Sequence, residues 1–93
     1  MNINQLKYFI EFARIKNFSK AADKLEISQP ALSLQIQKLE EEFQHQLVDR
    51  TKKPLGLTVE GELFYEKALK IMQQIEDLKN FSIEIEEQYE GTL

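Results

Sequence analysis

The residues with the most usable chemistry lie together in Ser28-Gln29-Pro30-Ala31-Leu32-Ser33. A glutamine amide donates and accepts at once, so Gln29 can pair two-pronged with an adenine edge, and Ser33 can reach a base or a phosphate. Pro30 and Ala31 offer apolar contact to a thymine methyl. Lys38 adds a cation further along the same outer face, and Ser28 has the side chain of a helix-opening cap. Leu34 has two readings: it packs against a sugar or a thymine methyl, or it is simply an exposed leucine. A second set, Arg50, Lys52 and Lys53, brings cations to a turn, where they suit the minor groove or its phosphates. The plain alternative for both sets is a solvated, capped helix face and a solvated charged turn.

Other chemistries find little support. The chain has no cysteine, which excludes disulfides, thiolate zinc sites and cysteine nucleophiles and fits a reducing compartment. Its one histidine, His45, lies in a polar turn without a partner at triad or metal spacing. Carboxylates are plentiful, but none sits in a segment long enough to wall a substrate pocket, and there is no glycine-rich phosphate loop. The expectation is a protein without catalytic residues, metal or cofactor. No apolar run approaches the roughly 20 residues of a membrane span, so a cytoplasmic location is expected.

With 93 residues, 42% of them hydrophobic and only three Gly and two Pro, the chain suits one small folded domain. Its net charge of −4 is unevenly placed. Residues 1–58 carry nine Lys and Arg against seven Asp and Glu, whereas residues 59–93 carry three against nine. A slightly basic front on an acidic tail is compatible with an anionic polymer binding the front alone, although the electrostatic footprint is weak.

Elements that would position these side chains can be read from periodicity. Asn4 is a candidate cap for a first helix to about Ile15, with Leu6, Phe9, Ile10 and Ala13 at helical spacing. Ser19 is a candidate cap for a short second helix to about Leu25, with Phe18 stapling its entry and Ala21 and Ala22 allowing close approach. Glu26-Ile27 makes the turn. A third helix follows from Gln29 to about Phe43, capped by Ser28, with Pro30 in its first turn and a stripe of Leu32, Ile36, Leu39 and Phe43. Two short helices meeting at a tight corner, the second polar outside, suit entry into a DNA groove. Apolar pieces around Leu47-Val48 and Leu55-Leu57 then flank the basic, proline-bearing turn, which predicts a small hairpin, the wing of a winged helix-turn-helix.

Thr58 caps a last helix that could reach Tyr89, about 45 Å at 1.5 Å per residue. Phe64, Ala68, Ile71, Ile75, Leu78, Ser82, Ile85 and Tyr89 repeat at heptad spacing, with Ser82 as one polar slot. Phe64 and Ala68 could pack on the winged part. From Ile71 onward so long a seam requires a second chain, which predicts a homodimer.

These residues resemble the N-terminal domain of the LysR-type transcriptional regulators. The matching positions are Leu6, Phe9, Phe18-Ser19, Ala21-Ala22, Leu25, Ser28 to Ser33, Gln35-Ile36, Leu39-Glu40, Leu47, Arg50-Thr51, Leu57-Thr58 and Gly61. The resemblance implies a mainly α fold, three helices plus a two-stranded β wing, followed by a long dimerising linker helix. Residues 1–58 would form the winged unit (helix-turn-helix about 18–37) and 59–90 the linker helix. Residues 91–93 would begin an effector-binding domain that the chain lacks. By position, the groove-facing residues are Gln29, Pro30, Ala31, Ser33 and Leu34, and the wing contacts Arg50, Lys52 and Lys53. The implied partners are double-stranded DNA at an AT-rich interrupted palindrome, a second copy of the chain, and a small-molecule inducer bound only by the missing domain.

Three positions depart from the family pattern. Leu34 and Gln37 stand where it usually has basic residues, which removes phosphate or guanine contacts. Gln44 stands where a glycine usually follows the third helix, so it must adopt a left-handed conformation or end the helix differently. A reading of another class is a winged-helix interaction module, whose acidic last helix docks a protein.

Overall fold

The computed structural model describes residues 1–88 and contains five helices and one two-stranded antiparallel sheet among them. The elements are α1 (Ile3–Ile15), α2 (Phe18–Leu25), α3 (Gln29–Phe43), β1 (Val48–Asp49), β2 (Gly56–Leu57), α4 (Val59–Lys79) and α5 (Phe81–Gln88). In the sheet, Val48 pairs with Leu57 and Asp49 with Gly56.

Each early helix begins at a side-chain oxygen that satisfies an otherwise orphaned amide. Asn2, rather than Asn4, caps α1: its oxygen accepts from the Gln5 N–H at 2.8 Å, and the Gln5 side chain accepts from the Asn2 N–H at 3.1 Å. That reciprocal pair draws the helix start forward and leaves Asn4 within the first turn. Asn17, rather than Ser19, caps α2 by accepting from the Lys20 N–H at 2.9 Å, so Phe18 is already helical and Ser19 is released from capping. Ser28 caps α3 and Thr58 caps α4, as expected from the sequence.

All three helices of the winged unit end on a left-handed residue that is not glycine. Lys16, Glu26 and Gln44 have φ of 58°, 59° and 59°. Gln44 therefore takes the left-handed option, at the steric cost a β-carbon carries there.

Phe9, Phe12, Leu32, Ile36, Leu39, Leu47 and Leu57 are fully buried and fill the space between α1, α2, α3 and the sheet. Burial of each such side chain contributes about 1.5–3 kcal/mol before entropy is counted. Ala21 and Ala22 are buried against the same core and bring α2 close to its neighbours. A second cluster, Leu6, Ile10 and Ala68 with Phe64, Tyr65 and Met72, seats α4 on α1. Phe64 meets Phe9 and Phe43 edge-on, at centroid distances of 5.1 and 5.3 Å.

The long last helix expected from the heptad pattern is divided. α4 stops at Lys79, and Asn80 has φ −93° and ψ 8°. The Asn80 carbonyl accepts from the N–H groups of Ile83 and Glu84, which opens α5. The sequence there, Asn-Phe-Ser-Ile, is built of residues with low helix propensity. Tyr89, the last residue of the expected seam, and residues 91–93, the expected start of a further domain, lie outside the described residues.

Candidate nucleic-acid interface

The N-terminal end of α3 forms an exposed polar face. Ser28, Gln29, Pro30, Leu34 and Lys38 are exposed, while Ala31 and Ser33 are half-buried. The opposite face, Leu32, Ile36 and Leu39, has no exposure at all, so packing fixes which side of α3 looks outward. Leu34 is 48% exposed and packs into no core cluster.

Ser19 sits beside this face with a role that periodicity did not show. Its hydroxyl donates to Gln29 Oε1 at 2.9 Å, across the α2–α3 corner. The available sign was a second cap-type residue, Asn17, two positions before Ser19.

The wing lies at the far end of α3 and is tied to it by Glu40, a buried carboxylate that the family resemblance included but to which the sequence reading gave no role. Glu40 Oε2 accepts from the backbone N–H groups of Leu47 (2.8 Å) and Val48 (3.2 Å). Its other oxygen is 3.8 Å from Arg50 Nη1, and the Arg50 guanidinium lies 5.9 Å from the centre of the Phe18 ring. An acidic residue four positions after buried Ile36, on the apolar stripe, was the available sign.

The three wing cations are placed differently. Arg50 is held between Glu40 and Phe18 but remains exposed. Lys52 folds back, its ammonium donating to the Leu57 carbonyl at 3.0 Å. Lys53 is exposed and has no ion-pair partner among the described residues, and the same holds for Lys38. At the start of the turn, Asp49 accepts from the Thr51 hydroxyl (2.5 Å) and N–H (3.0 Å). Those hydrogen bonds, the hydroxyl foremost, hold its carboxyl below the ordinary carboxylate range.

The residues expected to form a seam between chains divide by exposure. Ala68 is buried and Phe64 half-buried within the protomer, both packed on the winged unit. Ile75 is half-buried, and Ile71, Leu78, Ser82 and Ile85 are exposed. Leu63, Phe81 and Ile83 are further exposed apolar residues of α4 and α5 that the heptad pattern omitted. An open apolar groove of about 410 Å³ runs beside α4, lined in part by Met1, Leu6, Phe43, Leu47, Leu63 and Ile71. His45 lies at its edge, and no group of three or more metal-ligating side chains occurs among the described residues. No described helix is long and apolar enough to cross a membrane.

A corner of two helices, an exposed second helix and a β-hairpin beside it define a winged helix-turn-helix. Residues 3–62 match the model of the bacterial regulatory helix-turn-helix proteins of the lysR family, and the chain belongs to that family. It is 44% identical over 78 residues to the HTH-type transcriptional regulator BenM of Acinetobacter baylyi, covering 84% of this chain and 26% of BenM. It is 42% identical over 94 residues to the HTH-type transcriptional regulator BsdA of Bacillus subtilis, covering 100% of this chain and 32% of BsdA. The chain thus spans about a quarter to a third of the length of these curated relatives. The fold superposes on a crystal structure of the BenM DBD with catB site 1 DNA at a TM-score of 0.86 and 41% identity, covering 91% of each chain. The chain thus carries the helix-turn-helix domain of the lysR family. The interaction-module reading is not favoured.

Proposed function

We propose that this chain binds double-stranded DNA sequence-specifically as a homodimer, placing α3 in the major groove and the wing beside it in the minor groove, to control transcription. The observation that carries the reading is the exposed polar start of α3, with Gln29 foremost, on a fold that matches the BenM DBD of a DNA complex. The contacts are assigned to Ser28, Gln29, Pro30, Ala31, Ser33, Leu34 and Lys38 on α3 and to Arg50 and Lys53 on the wing. Lys52 contributes charge at the wing root, since its ammonium is turned toward the Leu57 carbonyl.

The second copy meets the protomer through the exposed apolar side of α4 and α5, with Ile71, Ile75, Leu78 and Ile85 at its centre and Ser82 as the polar position. Phe64 and Ala68 support this seam from within. Residues 1–58 act as the reading unit and residues from 59 onward as the linker. The site is an AT-rich interrupted palindrome read as two half-sites. A C-terminal domain of a longer, cytoplasmic protein binds the small-molecule inducer, a reading that the greater length of the curated relatives supports.

Selection from a random duplex pool tests the proposal. The expected product is an enriched sequence of two related half-sites. Recovery of no common sequence at low salt contradicts it.

A further inference from the structure

The Ser19–Gln29 hydrogen bond bears directly on which base the tip of α3 prefers. Ser19 is the second residue of α2 and Gln29 the first residue of α3. Buried Ala21, Ala22 and Leu32 lock these two helices into one core, so the corner between them is not free to open. Because Asn17 caps α2, the Ser19 hydroxyl is free to donate, and it does so to Gln29 Oε1 at 2.9 Å.

An unrestrained glutamine pairs with adenine by donating to N7 while its oxygen accepts from the N6 amino group. Here that oxygen is already engaged and aimed back at α2. One lone pair of that oxygen is thereby taken and the carbonyl is turned toward α2, so the amide nitrogen, a donor only, is the group best placed to face outward. Removal of water from a groove strengthens a bond held this way, because the competing partner is gone.

We propose that Ser19 is a positioning residue that makes Gln29 a donor, so this position prefers guanine, whose O6 and N7 both accept, over adenine, whose N7 accepts but whose N6 amino group faces the donor unpaired. The inference rests on the groove-entry reading above and deepens it.

The test uses the whole chain in three forms: unaltered, Ser19→Ala and Ser19→Thr, with circular dichroism to show that each folds. The base pair read by Gln29 is located as the one whose preference Gln29→Ala flattens. Duplexes with each of the four base pairs there are then titrated by fluorescence anisotropy. The unaltered chain should favour guanine over adenine. Ser19→Ala should move that ratio toward adenine by about five- to tenfold, the scale of one redirected hydrogen bond. Ser19→Thr, which keeps the hydroxyl, should restore the original order. A Ser19→Ala protein with an unchanged order of bases overturns the inference while leaving groove entry intact. So does a uniform loss on all four duplexes, which marks a structural or phosphate-binding role. An unaltered chain that binds no duplex at low salt overturns both readings together.

Discussion

The backbone at Gly61, in the first turn of α4, runs directly against the carbonyl of Leu47 at the base of the wing. A β-carbon at position 61 would collide with that carbonyl oxygen, which is fixed backbone accepting from the Thr58 N–H at 3.1 Å. Gly56 differs: a β-carbon there meets only the flexible Lys52 side chain, at 2.8 Å from Cδ. Gly61→Ala should therefore cost about 1–3 kcal/mol or more, the usual penalty of overpacking against an element that cannot retreat. Gly56→Ala should cost clearly less. Urea denaturation of both variants checks the contrast, and equal losses would contradict it.

Glu40 should behave as a tie rather than a surface charge. Glu40→Ala strips the acceptor from two buried amides, those of Leu47 and Val48, and should cost about 2–4 kcal/mol. Glu40→Gln keeps one acceptor oxygen and should lose distinctly less. Equal stability of all three proteins by chemical denaturation would show that the tie does not operate.

The left-handed end of α3 is a place where stability can be gained. Gln44 has φ 59°, and a glycine there removes a β-carbon clash of about 1–2 kcal/mol while adding some unfolded-state entropy. Gln44→Gly should therefore raise stability by about 0.5–1 kcal/mol, or several degrees in Tm for a domain of this size. Position 44 is outside the proposed contact face, so DNA affinity should not change. Calorimetry and a binding titration read the two quantities separately.

The wing turn should loosen in acid. The Asp49 carboxyl has its folded pKa lowered by the Thr51 hydroxyl and N–H, so its contribution is present above the ordinary carboxylate pKa. That contribution disappears as pH falls through the lowered folded value. The amide proton of Thr51 should shift with the Asp49 titration in NMR spectra, and Asp49→Asn should abolish the dependence. A Thr51 amide that ignores this titration would contradict the assignment.

The proposed seam makes its own demand. Leu78 is 69% exposed in the isolated protomer and should be covered in a dimer. Leu78→Glu should shift sedimentation toward the monomer and weaken binding to a two-half-site duplex more than to a single half-site. An unaltered chain that sediments as a monomer at high concentration would count against the seam.

The helix-turn-helix was legible because its signals are local. Ser28 caps α3 through the oxygen its sequence position suggested, and the stripe of Leu32, Ile36 and Leu39 occupies the buried face. Phe43, which ends that stripe, is 39% exposed and meets Phe64 edge-on at the rim. Less legible were choices between similar candidates. Asn2 and Asn4, like Asn17 and Ser19, can each cap a helix; the reciprocal pair with Gln5 selects Asn2, and at α2 Asn17 accepts from the Lys20 N–H while Ser19 turns to Gln29. The interruption at Asn80 is hidden for a related reason: a heptad pattern records where apolar residues fall, not whether the backbone between them stays helical. Ser19 and Glu40 act through partners ten and seven residues away, across a corner and a turn, so periodicity shows at most that Glu40 falls on the buried stripe and names neither partner.

The groove-entry account is tested most directly by titrating a labelled duplex carrying the selected site at about 50 and about 200 mM salt, with the unaltered chain, Gln29→Ala and Lys53→Ala. It predicts tight binding that weakens steeply with salt. Lys53→Ala should lower the salt slope by about one, and Gln29→Ala should erase about 1–3 kcal/mol of preference for the selected site over a scrambled one. Binding that is absent at low salt, or that neither substitution alters, would contradict it.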